Sequence, residues 1–377
     1  MLRRMLLGVA APTLAIAIAV AVSSVVLVIS GDDPFEIYSA MWEFGTQLNS
    51  IISMINRAVP YYISGLAVAV GFKMNLFNIG VEGQYYLAGI LAAVVGAWLD
   101  LPAPLHVACI CIVAMAVGAA WAGIAGVLKA TRGVNEVIST IMLNNIVGLG
   151  LGAWLMARFR ESETGGSLQI ATEHIPASGL MPDLNSWLEK IGLDVPQGSR
   201  LTGFLLVAIA VGVVFYLILE RTRFGYDLRA SGMNAWAAAS SGVSSNAMVV
   251  KAMLLSGGIA GLVGMSYVLG DFGRFTGDFP TNLGFTGIAV ALLGRNHPVG
   301  IGLAALLWGF LERSAQRLDL MDVPKEIVVI MQGTIVLSVV VAYEIVRRIR
   351  AAQLQREVSA QTDDERVSDV TGAGATA

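Results

Sequence analysis

The apolar residues of this chain come in long, nearly unbroken blocks, not in the 3.6-residue stripes of helices that float on a soluble core. A bilayer crossing needs roughly 20 apolar residues. By that measure the blocks predict spans at about 6–30, 48–71, 77–98, 104–128, 134–157, 201–219, 248–270, 282–294, 298–317 and 325–346. The eighth is short enough to be a half-helix or a re-entrant segment. The first is too long for the apolar region of a signal peptide and has no clear small-x-small cleavage site, so it reads as an uncleaved span.

Charges between the blocks alternate. Arg3 and Arg4, Lys73, Lys129 and Arg132, Arg221, Arg223 and Arg229, Arg295, and finally Arg347, Arg348 and Arg350 fall on every second connection. The connections between them carry Asp32 and Asp33, Asp100, Asp271 and Asp278, and Asp319 and Asp322. Basic residues collect on the cytoplasmic side of a membrane protein, and ten crossings with both termini inside satisfy every short connection. An outer stretch at about 158–200 separates five spans from five; it includes a short predicted helix near Leu184–Ile191. An odd number of spans per half makes any structural repeat an inverted one. The tail after about Arg356 has almost no large apolar residue and is expected to be disordered.

Composition agrees: 56% of the 377 residues are hydrophobic and 14% charged, against about 25% charged in soluble domains. Glycine is abundant, at 42 residues, as suits helices packed backbone to backbone. The two cysteines, Cys109 and Cys111, lie in one apolar block, and the three histidines are scattered, so no metal site is expected. No lysine follows a glycine, which excludes a P-loop, and no G-x-S-x-G or H-E-x-x-H motif offers a catalytic site.

Three segments break the apolar pattern. In Lys73–Gln84, Asn75, Asn78, Glu82 and Gln84 stand with two glycines where membrane should be. A mid-bilayer carboxylate costs about 2.5–3.5 kcal/mol to insert, so it must face protein or water. A broken helix beside a translocation path and a polar knot between helices fit equally well, and the effect of Glu82→Gln on transport separates them. The second, Arg221–Val243, is long for a connection and rich in small residues; Asn234 is a natural N-cap for a short helix over 234–241, whose alanines favour docking on another protein. Ala238→Glu is therefore expected to spare insertion and uncouple uptake. In the third, Gly284–Gly300, small residues permit close crossing, while Phe285 and Thr286 offer a ring and a hydroxyl to a solute. Arg57, mid-way along the second span, and Asn144 with Asn145 in the fifth are further polar positions, and an Arg57–Glu82 pair is not expected.

Phe77-Asn-Ile-Gly-Val-Glu-Gly-Gln84, Gly133-Val-Asn-Glu-Val-Ile-Ser-Thr-Ile-Met-Leu-Asn144, the Phe-Gly-Tyr-x-Leu-Arg-Ala-x-Gly-x-Asn run at 224–234 and Gly284-Phe-x-Gly-Ile-Ala-Val-Ala-Leu-Leu-Gly294 resemble the permease subunits of nucleoside importers of the ATP-binding cassette type, in the branched-chain amino acid and ribose permease superfamily. The likeness covers about residues 45–345, with Ser231 and Asn145 standing where an aliphatic and an aromatic residue are expected.

The resemblance implies an all-α membrane protein of the type II importer kind: about ten transmembrane helices in two inverted five-helix halves. Its parts would be an N-terminal span (1–31), a first-half bundle (32–157), a periplasmic loop (158–200), a second-half bundle (201–346) holding a cytoplasmic coupling loop (221–247), and a disordered tail (347–377). The chain would sit in a bacterial inner membrane with both termini cytoplasmic. It would move nucleosides, or simple sugars, without catalysis and without a cofactor of its own. ATP and Mg would be used by a partner ATP-binding subunit with two nucleotide-binding domains. A second permease, as a heterodimer, and a periplasmic or lipoprotein substrate-binding protein would complete the complex; membrane lipid is the remaining partner, and no nucleic acid is expected. Asn75, Asn78, Glu82, Gln84, Asn144, Phe285 and Thr286 would line the substrate path. Gly225, Arg229, Ala230, Gly232, Asn234, Ala237, Ala238 and Gly242 would couple the chain to the ATPase. An ion-coupled transporter using Glu82 is the rival from another class, but it has no need of a docking helix.

Overall fold

Polar interruptions and glycine pairs decide where the helices start and cross. The computed structural model describes residues 2–161, 170–321, 323, 326–339, 341, 345 and 348, with side chains from 14 and 16 onward. Among these the regular structure is helical, and β-pairing is limited to isolated bridges such as Arg160–Thr172 and Asp183–Thr202. The predicted disordered tail beyond Arg348 and part of the predicted outer loop, 162–169, lie outside the described residues.

The chain divides into two units. One, residues 1–35 with 323–377, holds α1 (Leu2–Ser30) and α15 (Glu326–Val339). The other, 36–322, holds nearly all the remaining helices: most of α2 (Pro34–Gly45), α3 (Leu48–Lys73), α4 (Val81–Trp98), α5 (Ala103–Arg132), α6 (Glu136–Ile146) continued by a π turn and α7 (Gly152–Phe159), α8 (Asn185–Lys190), α9 (Phe204–Arg221), α10 (Arg223–Met233), α11 (Ala235–Ser240), α12 (Ser245–Gly261), α13 (Leu283–Leu293) and α14 (Pro298–Asp319). Among the described residues, three helices are long and apolar enough to cross a bilayer outright: α5, α6 with α7, and α9. Their outward faces carry Ile112, Leu149, Leu206 and Val213, large side chains that a water-facing surface would not gather on whole helix faces.

The expected span at 77–98 begins as helix only at Val81, because Asn75 takes a left-handed backbone (φ 60°) and Asn78 ties down the following turn. The eighth predicted span is a helix of 11 residues, about 16 Å at 1.5 Å per residue, half a bilayer. The stretch at 32–47, read as a connection, forms α2; its Ile37, Met41 and Gly45 recur every four residues and face inward, with Gly45 against Phe310 of α14.

α3 is the central helix, buried almost continuously from Ala58 to Gly71 and packed on α9, α12, α13 and α14. The crossing of α5 and α12 rests on bare backbone: a Cβ on Gly118 would overlap the Gly257 carbonyl, and one on Gly261 would overlap the Ala114 carbonyl. Gly257→Leu is expected to abolish recovery of folded protein from detergent, whereas Gly258→Ala, whose Cβ would meet only loose contacts, leaves it within two-fold; size-exclusion profiles of the two variants check this.

Candidate functional site

The site grows from the junction of α4 and α13. The first N–H groups of any helix lack partners and carry a partial positive charge. At α13 the residue before the helix, Asn282, is left-handed (φ 67°) and gives no side-chain cap. Glu82, in the first turn of α4, supplies one instead: its Oε1 accepts from the Asn282 N–H at 2.6 Å and its Oε2 from the Gly284 N–H at 2.9 Å. Tyr85 donates its hydroxyl to the same carboxylate at 2.7 Å. Gly284 permits the approach, since a Cβ there would lie 2.5 Å from the Glu82 nitrogen. Two helix starts thus meet, and the helices run from there to opposite ends of the bundle. α4 ends where Trp98 packs on Phe159, and α13 ends near His297, which packs on Tyr216.

Asn78, Gln84 and Asn144 hold the same junction. Asn78 and Gln84 exchange two hydrogen bonds at 2.9 and 3.0 Å, and Asn78 also donates to Ser256 Oγ on α12. Asn144 accepts from the Gly83 N–H and donates to the Ile79 carbonyl, both at 2.9 Å. Asn78 and Gln84 are wholly buried. Asn75 stands apart, exposed at the turn after α3. Phe285 is half exposed and Thr286 half-buried, just past the capped turn of α13.

The charge at Arg57 is answered not by Glu82 but by Glu312 of α14, 2.8 Å away. Tyr61 donates to the other oxygen of Glu312 at 2.5 Å. Sequence reading singled out Arg57 and missed Glu312, although an acid inside the ninth apolar block was a visible signal.

The polar loop after α9 forms two helices, of which the sequence predicted the second: at the start of α11 the Asn234 side chain accepts from the Trp236 and Ala237 N–H groups, and Gly242 (φ 82°) follows its end. Thr222 caps α10 through the Gly225 N–H. Gly225 lies on the end of α9 and Gly232 on Met74, where a Cβ would come within 2.7 Å of backbone. Arg229 donates to the Leu219 carbonyl and sits 3.5 Å from Glu220, which Lys73 engages at 2.6 Å. Ala230 is half-buried beside them, and Ala237 is exposed. Ala238 is 4% exposed and turned into its own chain, so Ala238→Glu would disturb internal packing; Trp236, 87% exposed, and Met233, 83% exposed, form the outward face of the segment.

A cavity of about 670 Å³ opens between α3, α9 and α14. It is lined by residues such as Ile55, Val59, Ile209, Val213 and Leu306, with the rings of Tyr62, Tyr216 and His297, and no carboxylate or amide side chain. That lining suits hydrocarbon better than a polar solute.

Residues 50–342 match the family described as branched-chain amino acid transport system / permease component. Among curated proteins, the chain is 36% identical to the guanosine ABC transporter permease protein NupP of Bacillus subtilis, over 89% of this chain and 93% of that protein. It is 33% identical to the glucose ABC transporter permease protein TsgB13 of Haloferax volcanii, over 90% and 88%. With the nucleoside ABC transporter permease protein NupB of Lactococcus lactis it shares 30% identity, over 88% and 90%. No solved structure matches the chain.

Proposed function

The chain belongs to the branched-chain amino acid transport system permease family, and on that premise we propose that it is the membrane subunit of an ATP-driven importer that carries nucleosides inward. It is a transport component and not a catalyst. The work would come from a separate ATP-binding subunit with two nucleotide-binding domains, using ATP and Mg. A second permease and a substrate-binding protein on the outer side would complete the complex, in a bacterial inner membrane with both termini in the cytoplasm.

Ten crossings in two inverted halves fit the packing. With α1, α3, α4, α5 and α6–α7 as the first five spans, and α9, α12, α13, α14 and α15 as the second, the third members of each half start head to head at Glu82 and Gly284. The fourth member of one half, α5, packs on the second member of the other, α12, and α14 packs on α3 in the same way. An inverted repeat demands this exchange. The domain limits expected above, with the coupling loop at 221–247, follow from that plan.

The observation that carries the proposed mechanism is the contact of Gly232 with Met74. It joins the docking segment to the turn that leads through Asn78 to Glu82 and the start of α13. Movement of α10 and α11 by the ATPase would be felt at the two half-helices, which are held by hydrogen bonds and not by a continuous backbone. Such a junction is a natural two-state element. In this reading Asn78, Gln84 and Asn144 are its hinge pins, Glu82 is the cap that must hold in each state, and Asn75, Phe285 and Thr286 border the path. Gly225, Arg229, Ala230, Gly232, Asn234, Ala237, Ala238 and Gly242 shape the coupling segment, with Trp236 and Met233 as its contacts.

Substrate choice is tested by competition. In vesicles containing the complete complex, uptake of labelled guanosine is expected to be abolished by excess unlabelled uridine or adenosine and little affected by glucose. Strong competition by glucose alone would move the chain to the sugar carriers, which its likeness to the Haloferax protein also supports.

A further inference from the structure

Ser64 of α3 donates to the Leu283 carbonyl at 2.8 Å, so the face of α3 that bears Ser64 is covered by α13 from that level onward. Tyr61 and Arg57 stand three and seven residues earlier on the same face, one and two turns beyond the start of α13. α13 is a half-helix and does not reach them. Facing them from α14 is Glu312, and Tyr267, from the π-helical segment Tyr267–Phe272, lies within electrostatic reach of both charges. A cluster of ionisable groups therefore stands beyond the start of α13, with Tyr61 buried and Arg57 and Glu312 part-exposed.

Stability does not account for it. An arginine and a glutamate within spans cost several kcal/mol to insert. An ion pair whose side chains remain 32% and 37% exposed returns only about 0–1 kcal/mol. α3 and α14 are already locked together by Gly309 against Met54 and Gly65 against Ile301. The pair also has spare capacity. A carboxylate offers about four acceptor sites, of which Arg57 and Tyr61 take one each; a guanidinium has five donors, and Glu312 takes one of those of Arg57. Acceptor and donor side by side match a hydroxyl, which gives one bond and takes one. Two neighbouring hydroxyls match the pair best. Tyr267, stacked on Phe272 with centroids 6.0 Å apart, adds an aromatic wall of the kind that rings pack against.

We propose that Arg57, Tyr61 and Glu312 form a subsite that holds the sugar ring of the transported solute by its vicinal hydroxyls. This rests on the reading of the chain as a carrier of nucleosides or sugars. The subsite lies beyond the start of α13, so a solute would leave it before passing the Glu82 junction.

The test uses vesicles holding the complete complex, with guanosine and 2′,3′-dideoxyguanosine as one pair of probes, and glucose and 2-deoxyglucose as the other. The wild-type complex is expected to favour the hydroxylated member of the pair it carries by about 10- to 100-fold in kcat/KM, the range for hydrogen bonds to a charged group. Glu312→Gln and Arg57→Gln are each expected to erase most of that preference, lowering uptake of the hydroxylated probe at least about 10-fold more than that of the deoxygenated probe. Retained entry of the deoxygenated probe also shows that the variant has folded. A variant that lowers both members equally, or that keeps the wild-type preference, overturns the subsite. Should the complex carry glucose and not guanosine, the nucleoside reading fails while the sugar pair still decides the subsite. A complex that moves none of the four overturns both.

Discussion

Replacing Trp236 by glutamate is expected to cut ATP-driven uptake by about 30- to 1,000-fold while the chain still inserts into the membrane. Trp236 projects from the short helix Ala235–Ser240 and is 87% exposed, although tryptophan is costly to leave in water. Buried aromatic anchors carry much of an interface's energy, typically 2–4 kcal/mol each, which sets the range given. A charge placed there adds a desolvation penalty on docking. Among the described residues the indole ring is almost wholly exposed, so the melting temperature of the purified subunit should not move. Uptake and ATP hydrolysis by the assembled complex, measured side by side, check the expectation: transport collapses, and hydrolysis no longer responds to loaded substrate-binding protein. Normal transport in this variant would remove the docking role from the segment.

Glu82→Leu is expected to lower uptake by at least about 100-fold, with loss of thermal stability as well. The leucine would leave the Gly284 N–H at the buried start of α13 without its acceptor, at a cost of about 1–3 kcal/mol, and the more exposed Asn282 N–H and the Tyr85 hydroxyl would lose the carboxylate as well. Glu82→Gln keeps one acceptor oxygen and should fall between, at about 10-fold. The stability readout separates a cap from a solute contact. A cap variant melts earlier even without substrate, whereas a pure contact residue changes uptake and leaves melting alone. Transport that survives Glu82→Leu unchanged would contradict the proposed role of the junction.

Much of this was legible from the sequence because lipid imposes a simple rule: every long apolar block must become a helix. The short helix α11 was legible for a local reason, since Asn234 caps it with its own side chain. The short eighth span was legible from the length of its apolar block. What the sequence could not disclose was pairing across the bundle. Glu82 and Gly284 are 202 positions apart and Arg57 and Glu312 are 255 apart, and no local pattern joins them. Arg57 gave a signal without an address. The burial of Ala238 was equally hidden: in a run of three alanines, only the turn of the helix against α10 and α12 decides which one faces inward. α2 escaped because its apolar stripe is four residues apart over only 12, too short to register as a block.

The central claim is that this bundle is moved by a separate ATP-burning subunit. The direct measurement is accumulation of labelled guanosine in sealed vesicles, comparing this chain alone with the complex of both permeases, the ATP-binding subunit and the substrate-binding protein. Uphill accumulation that needs the full set, and stops when ATP is replaced by a non-hydrolysable analogue, is the expected result. Accumulation by this chain alone, driven by a proton or sodium gradient with no nucleotide present, would contradict it.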